Sequence, residues 1–213
     1  RRYRLVVTTL AVAGLLFTAG VLAWGNPMEF GTRGFWLIAQ KRAVTVVVIA
    51  VVAWCQALAT VAFQTVANNR IITPSIMGFE SLYRAVQTSA VYFLGVAGVV
   101  ALQGVGQFLV QVALMVGLAV VLYGTLLTGE RGDLQSMLLI GIVIGGGLGS
   151  VATFMQRLLT PSEFDVLSAR LFGNMSNADA SYLPVAVPMA AIAGGVLLWR
   201  SRRLDVMALG RDA

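Results

Sequence analysis

Residues 43–66 read Ala-Val-Thr-Val-Val-Val-Ile-Ala-Val-Val-Ala-Trp-Cys-Gln-Ala-Leu-Ala-Thr-Val-Ala-Phe-Gln-Thr-Val, without a single charge. A helix needs about 20 apolar residues to cross about 30 Å of hydrocarbon, and this stretch supplies them. The run from Val44 to Val52 lacks the polar–apolar alternation of a barrel strand, so its backbone must be satisfied within the segment, as in a helix. Outward from it lie five further stretches of the same kind, 5–24, 82–101, 108–127, 137–156 and 182–199. Among fifteen Lys and Arg and nine Asp and Glu, only Arg84 falls inside a span so drawn. An unpaired charge at mid-bilayer costs at least about 2.5 kcal/mol, which explains the segregation. Over the 213 residues, 58% are hydrophobic and 11% charged, against about 25% charged in a soluble domain. The expected fold class is all-α, a polytopic transmembrane helical bundle in a single domain over 1–213.

The first stretch follows Arg1, Arg2 and Arg4; it is long and lacks a convincing cleavage site, so it reads as a span rather than a secretory signal. With the N-terminus in the cytoplasm, the inner stretches carry nine basic residues and the outer ones five, as the positive-inside rule favours. The net charge of +6 is dispersed among loops with no basic stripe, which points to anionic lipid and away from nucleic acid. One cysteine, Cys55, and no histidine exclude an intrachain disulfide and a Cys/His metal site. No phosphate-binding glycine loop and no His for general-base work are present, so neither a cofactor nor catalysis within the chain is expected.

The connections are short except for 160–181, expected outside. There Thr160-Pro161-Ser162-Glu163 is a capping-box pattern with Pro at the first helical position, and Gly173 is a stop, predicting a surface helix over 161–172. Phe164, Leu167 and Leu171 share one face, which should lie on the bundle or membrane surface with Glu163 and Arg170 in water. Such a helix serves as a lid on the bundle or as part of a docking platform for an external partner. The fifth span carries Gly141, Gly145 and Gly149, with a second small pair at Gly146 and Ser150. Small residues at this spacing let helices approach closely in lipid, where no hydrophobic drive exists between them; lining a pathway is the other use of such a face. Glu80 and Arg84, four apart, suit a helical ion pair that offsets the cost of Arg84, with a pathway role for Arg84 as the alternative. Gln56, Gln64 and Gln87 suit bridges between helices.

Gln64-Thr-Val-Ala-Asn-Asn69-Arg-Ile-Ile-Thr-Pro74-Ser-Ile-Met-Gly78 resembles the Q-x4-N-P-L-A-x-P-x-L-L-G signature of the iron-siderophore and vitamin B12 ABC importer permeases. Gln64, Asn69, Pro74 and Gly78 match at identical spacing. Leu204-Asp205-Val-Met207-Ala208-Leu209-Gly210-Arg211-Asp212-Ala is similar to that family's cytoplasmic L-A-L-G-E-x-x-A segment, and Leu138-Leu-Ile-Gly141 with Gly145 fits its fifth span. The wording from Asn69 to Tyr83 is similar to the ferric-chelate branch, which imports catecholate-type siderophores. Departures are clear. Arg70 stands where the family has Pro, Thr60 where it has Gly, and Arg211 where it has an acid. The family's outer Arg-x-x-Arg is represented only by Arg42, with Ala39 at the first position and Lys41 adjacent.

The resemblance implies a permease of about ten spans in two pseudo-symmetric halves, of which the six here are a part, with about four helices beyond Ala213. It implies a second permease subunit, cytoplasmic ATPase subunits that contact 204–212, and an extracytoplasmic substrate-binding protein meeting Lys41, Arg42, Glu163 and Arg170. A ferric siderophore is the expected cargo, and ATP hydrolysis belongs to the separate subunits. The other readings are an ion-coupled secondary carrier, which should place acids inside its spans where the drawn spans have none, and a membrane scaffold with no solute.

Overall fold

The computed structural model describes residues 2–67, 69–101, 104–127, 134–173, 175 and 178–208. The helices are α1 (Arg2–Ala23), α2 (Arg33–Val66), α3 (Phe79–Ala101), α4 (Val105–Leu127), α5 (Leu134–Arg157), α6 (Pro161–Leu171), α7 (Leu183–Trp199) and α8 (Ser201–Ala208), with a 3-10 turn at Ala180–Tyr182. Among the described residues, five helical stretches are long and apolar enough to span a bilayer, and the sixth expected span falls in α4, apolar over Val105–Val121. Large apolar side chains such as Phe17, Phe93, Val110, Val143 and Ile192 are exposed, as helices solvated by lipid require. The protein is a polytopic helical bundle.

The chain divides into two units. The first comprises Arg1–Ala53 with Asn174–Ala180. Here the structure departs from the expected span 43–66, because α2 begins ten residues earlier, at Arg33. Thr32 starts it as an N-cap, its Oγ1 accepting the Phe35 N–H at 3.2 Å. At 34 residues α2 is about 51 Å long and overreaches the hydrocarbon. Lys41 and Arg42 are therefore helical positions rather than loop residues. Phe35 is buried against Phe30, with ring centroids 5.0 Å apart, and anchors the turn between α1 and α2.

The second unit comprises Trp54–Gly173 with Ser181–Ala213. Its frame is the pair α3 and α5, which among the described residues pack on each other more extensively than any other pair of helices. They run parallel: Gly78, just before α3, meets Gly141 and Gly145, while Thr88 ten residues on meets Gln156. The drawn span 82–101 is not one straight helix, because Gly95 adopts φ 65° and ψ 175°, a conformation essentially restricted to glycine. The piece beyond the break brings Val99 onto Val91 and Leu167, with Ala90, Leu159 and Leu171 around them, forming the buried apolar cluster. The α6 helix seats Leu167 in that cluster and ends one residue short of the expected 161–172. Phe164, expected with Leu167 on the face toward the bundle or membrane surface, stays 45% exposed.

Candidate functional site

The loop between α2 and α3 carries the signature residues, and each has a definite task there. Gln64, in the last turn of α2, has its backbone carbonyl accepting the Asn69 N–H at 3.2 Å and its side-chain Nε2 donating to Arg70 O at 2.8 Å. Asn69 Oδ1 accepts the Ile71 N–H at 3.0 Å, closing an Asx turn. From Thr73 onward the backbone coils through three consecutive turn bonds, Ile76 to Thr73, Met77 to Pro74 and Gly78 to Ser75. Pro74 carries no N–H to satisfy, which suits the start of that coil. Ile72 and Met77 are buried and pin the loop inward. Polar backbone inside a membrane protein survives only when its groups are satisfied in this way.

Gly78 then meets the glycine face of α5. Its φ of +89° favours glycine, and a Cβ there would stand 2.9 Å from Gly141 O and 3.0 Å from Gly145 Cα. Reciprocally, a Cβ on Gly145 would stand 2.8 Å from Gly78 Cα, and one on Gly149 would be 3.6 Å from Ser81 Oγ. Gly141 and Gly145 thus make their close approach to the signature loop itself, while Gly149 lies at ordinary contact distance from Ser81 of α3. A polar seam continues it, with Gln156 Nε2 donating to Thr88 Oγ1 at 3.0 Å and Gln87 and Thr88 both buried. The backbone contact works because dispersion between closely packed atoms replaces the missing hydrophobic drive.

Glu80 lies in the first turn of α3, and its Oε1 accepts from Arg84 Nη2 at 3.0 Å, the expected four-residue pair. Lys41 is exposed on α2. Arg42 is drawn inward: its Nη1 donates to Val21 O and Trp24 O at 3.0 and 2.7 Å, and its Nη2 to Gly25 O at 3.0 Å, capping the carbonyl end of α1. On α6 the Thr160 N–H donates to Glu163 Oε2 at 2.9 Å, one half of the expected capping box. Those Thr160 bonds, backbone first and hydroxyl second, hold the exposed Glu163 carboxyl below its ordinary value. Stability from this cap is present above the ordinary value of 4.5 and is lost as pH falls through the lowered folded value. The protection factor of the Thr160 amide, its exchange corrected for the intrinsic pH dependence of amides, is expected to fall on acidification through that window, and Glu163→Gln to remove this dependence; an unchanged profile in Glu163→Gln refutes the assignment.

Arg170 departs from the water-facing position expected for it. Its Nη2 donates to Val99 O at 3.2 Å, satisfying a carbonyl of the short piece after the Gly95 break, while its own carbonyl accepts from Tyr83 Oη at 3.1 Å. The sequence gives little warning of this, since Arg170 sits where a surface cation at a helix end would sit. Toward the carboxyl end, Arg200 alone separates α7 from α8, and the Arg203 and Leu204 N–H groups both point to Arg200 O across the joint. Leu204 is half-buried, and Asp205, Met207 and Ala208 lie within α8. Leu209, Gly210, Arg211 and Asp212 lie outside the described residues. Among the described residues no three His, Cys, Asp or Glu converge as a metal site would need.

A family model described as the FecCD transport family matches residues 5–213. The chain belongs to the FecCD transport family. It is 48% identical over 212 residues to the petrobactin import system permease protein FatC of Bacillus anthracis, a match that covers 100% of this chain and 60% of that relative. It is 38% identical over 157 residues to the petrobactin import system permease protein YclO of Bacillus subtilis (strain 168), covering 73% of this chain and 50% of the relative. This FecCD chain therefore spans about half to three fifths of the length of the curated relatives it matches. No solved structure gives a significant match. Within the FecCD family the chain carries the apolar helices of a multi-pass membrane protein, and its signature loop and α5 form one interlocked unit.

Proposed function

We propose that the chain belongs to a permease subunit of an ATP-driven ABC importer that takes up a ferric siderophore across the cytoplasmic membrane. The observation that carries this reading is the 48% identity to a petrobactin import permease along the whole chain. In it, two permease subunits enclose a central pathway, an extracytoplasmic binding protein delivers the chelate, and two cytoplasmic ATPases supply the energy. The N-terminus is cytoplasmic, the exterior face includes Lys41 and Glu163, and 204–212 receives the ATPases. Arg42 and Arg170, committed to carbonyls at 2.7 to 3.2 Å, serve that face by holding α1 and α6 in place. An ion-coupled carrier would turn on an intramembrane acid, and the one acid in the described candidate spans, Glu80, lies in the first turn of α3 paired with Arg84.

In a Bacillus strain lacking its petrobactin permease, the complete gene for this protein with its partner subunits is expected to restore uptake of radiolabelled ferric petrobactin. A permease that reaches the membrane with its partners and restores no uptake overturns the reading.

A further inference from the structure

An open groove of about 420 Å³ runs along the second unit, lined by Arg84, Gly146, Gly149, Ser150, Thr153, Phe154 and Arg157. It lies beside the α3–α5 seam, on the edge of the glycine face that the signature loop leaves uncovered. A Cβ on Gly146 would meet nothing within 4 Å. Arg84 lies within a drawn span and Arg157 at the very end of α5, and a guanidinium held against lipid tails is costly, so the Arg84 end of the strip has to face water or a polar occupant. Glu80 offsets part of the Arg84 charge through their 3.0 Å bond, whereas Arg157 enters no ion pair among the described residues. Ser150 Oγ and Thr153 Oγ1 donate to Gly146 O and Gly149 O at 2.9 and 2.8 Å, so their protons are spent on their own helix. The groove therefore offers positive charge and a bare backbone floor in place of a set of hydroxyl donors.

We propose that this groove is a contact site for the anionic ferric chelate in transit, with Arg157 at its mouth and Arg84 deeper along it. The inference rests on the function proposed above and deepens it. Iron(III) held by catecholate oxygens carries net negative charge, which matches the cations, and the missing side chains at Gly146 and Gly149 leave room for a bulky complex. With the N-terminus inside, α5 runs outward, so Arg157 meets cargo first and Arg84 lies about two turns inward, a short cationic ladder that draws the chelate along.

The test uses the complete permease with its ATPases and its binding protein, reconstituted in phosphatidylcholine vesicles and in parallel in vesicles that also contain phosphatidylglycerol. Arg157→Gln is expected to lower kcat/KM for a ferric catecholate about tenfold in both, chiefly through KM, and Arg157→Lys to restore most of it. A wild-type KM for Arg157→Gln overturns the inference, as does an Arg157→Lys variant as poor as Arg157→Gln. A loss confined to the phosphatidylglycerol vesicles assigns the groove to a lipid phosphate and also overturns it. Should Arg157→Gln fail to assemble, Thr153→Glu, which puts a carboxylate into the same groove, is expected to raise KM at least as much, and an unchanged KM there is equally fatal. A wild-type complex that moves no ferric chelate defeats the proposed function and the inference together, whereas wild-type uptake with an indifferent Arg157→Gln defeats the inference alone.

Discussion

Gly145→Leu in the complete permease is expected to remove folded protein from the membrane, and Gly145→Ala to destabilise it, while Gly147→Ala two positions along leaves stability unchanged or raises it. A Cβ at 145 would lie 2.8 Å from Gly78 Cα, a backbone atom that cannot swing aside, whereas one at 147 would meet nothing within 4 Å. Overpacking costs about 1–3 kcal/mol and often more for a large side chain, and separating the helices also gives up the dispersion of the whole seam. Gly→Ala in an open helical position instead gains up to about 1 kcal/mol of propensity. Gly78→Ala should be as damaging as Gly145→Ala or worse, because its φ of +89° adds a penalty of about 1–2 kcal/mol to a clash with Gly141 O. Thermal unfolding midpoints in detergent check the series; equal midpoints for the alanine variants at 145 and 147 contradict the interlock.

Replacing Leu209 and Gly210 with Asp in the complete chain is expected to abolish ATP-driven uptake, a fall of at least about a hundredfold, with insertion and dimer assembly intact. The argument is mechanical. The α8 helix is joined to α7 through one non-helical residue, Arg200, with φ −89° and ψ 4°. A push received near the end of α8 therefore tilts α7 rather than being absorbed by a loop. In turn α7 is seated on α2, where a Cβ on Gly194 would stand 2.7 Å from Trp54 Nε1 and 2.8 Å from Leu58 Cδ1. Gly194 thus lets α7 lie directly on Trp54 and Leu58, and a tilt of α7 presses on those side chains of α2. Uptake at the wild-type rate in the Leu209 and Gly210 variant removes the coupling role from this segment.

Comparing what could be read along the chain with what the fold adds, the spans were legible because lipid imposes a one-dimensional rule: charge out, apolar in, for about 20 residues. Where that rule failed, it failed at ends. The start of α2 was misplaced because Lys41 and Arg42 look like a loop to a hydropathy reading, although Thr32, followed three residues later by buried Phe35, carries an N-cap signal in plain view. The break at Gly95 was not legible, since a glycine in an apolar run is ordinary and only the returning piece around Val99 requires the positive φ. Arg42 and Arg170 read as surface cations because nothing local reveals that a helix carbonyl end lies within reach of each guanidinium.

By itself, then, the sequence determined the class of molecule, the capped start of α6 and the pair Glu80–Arg84, all of which depend on neighbours within a few positions along one chain. Only the tertiary structure decided what the glycines at 141 and 145 are for. They admit Gly78 from a loop more than 60 residues away, and such an approach is set by two backbones meeting in space, with no periodicity along either segment to announce the partner.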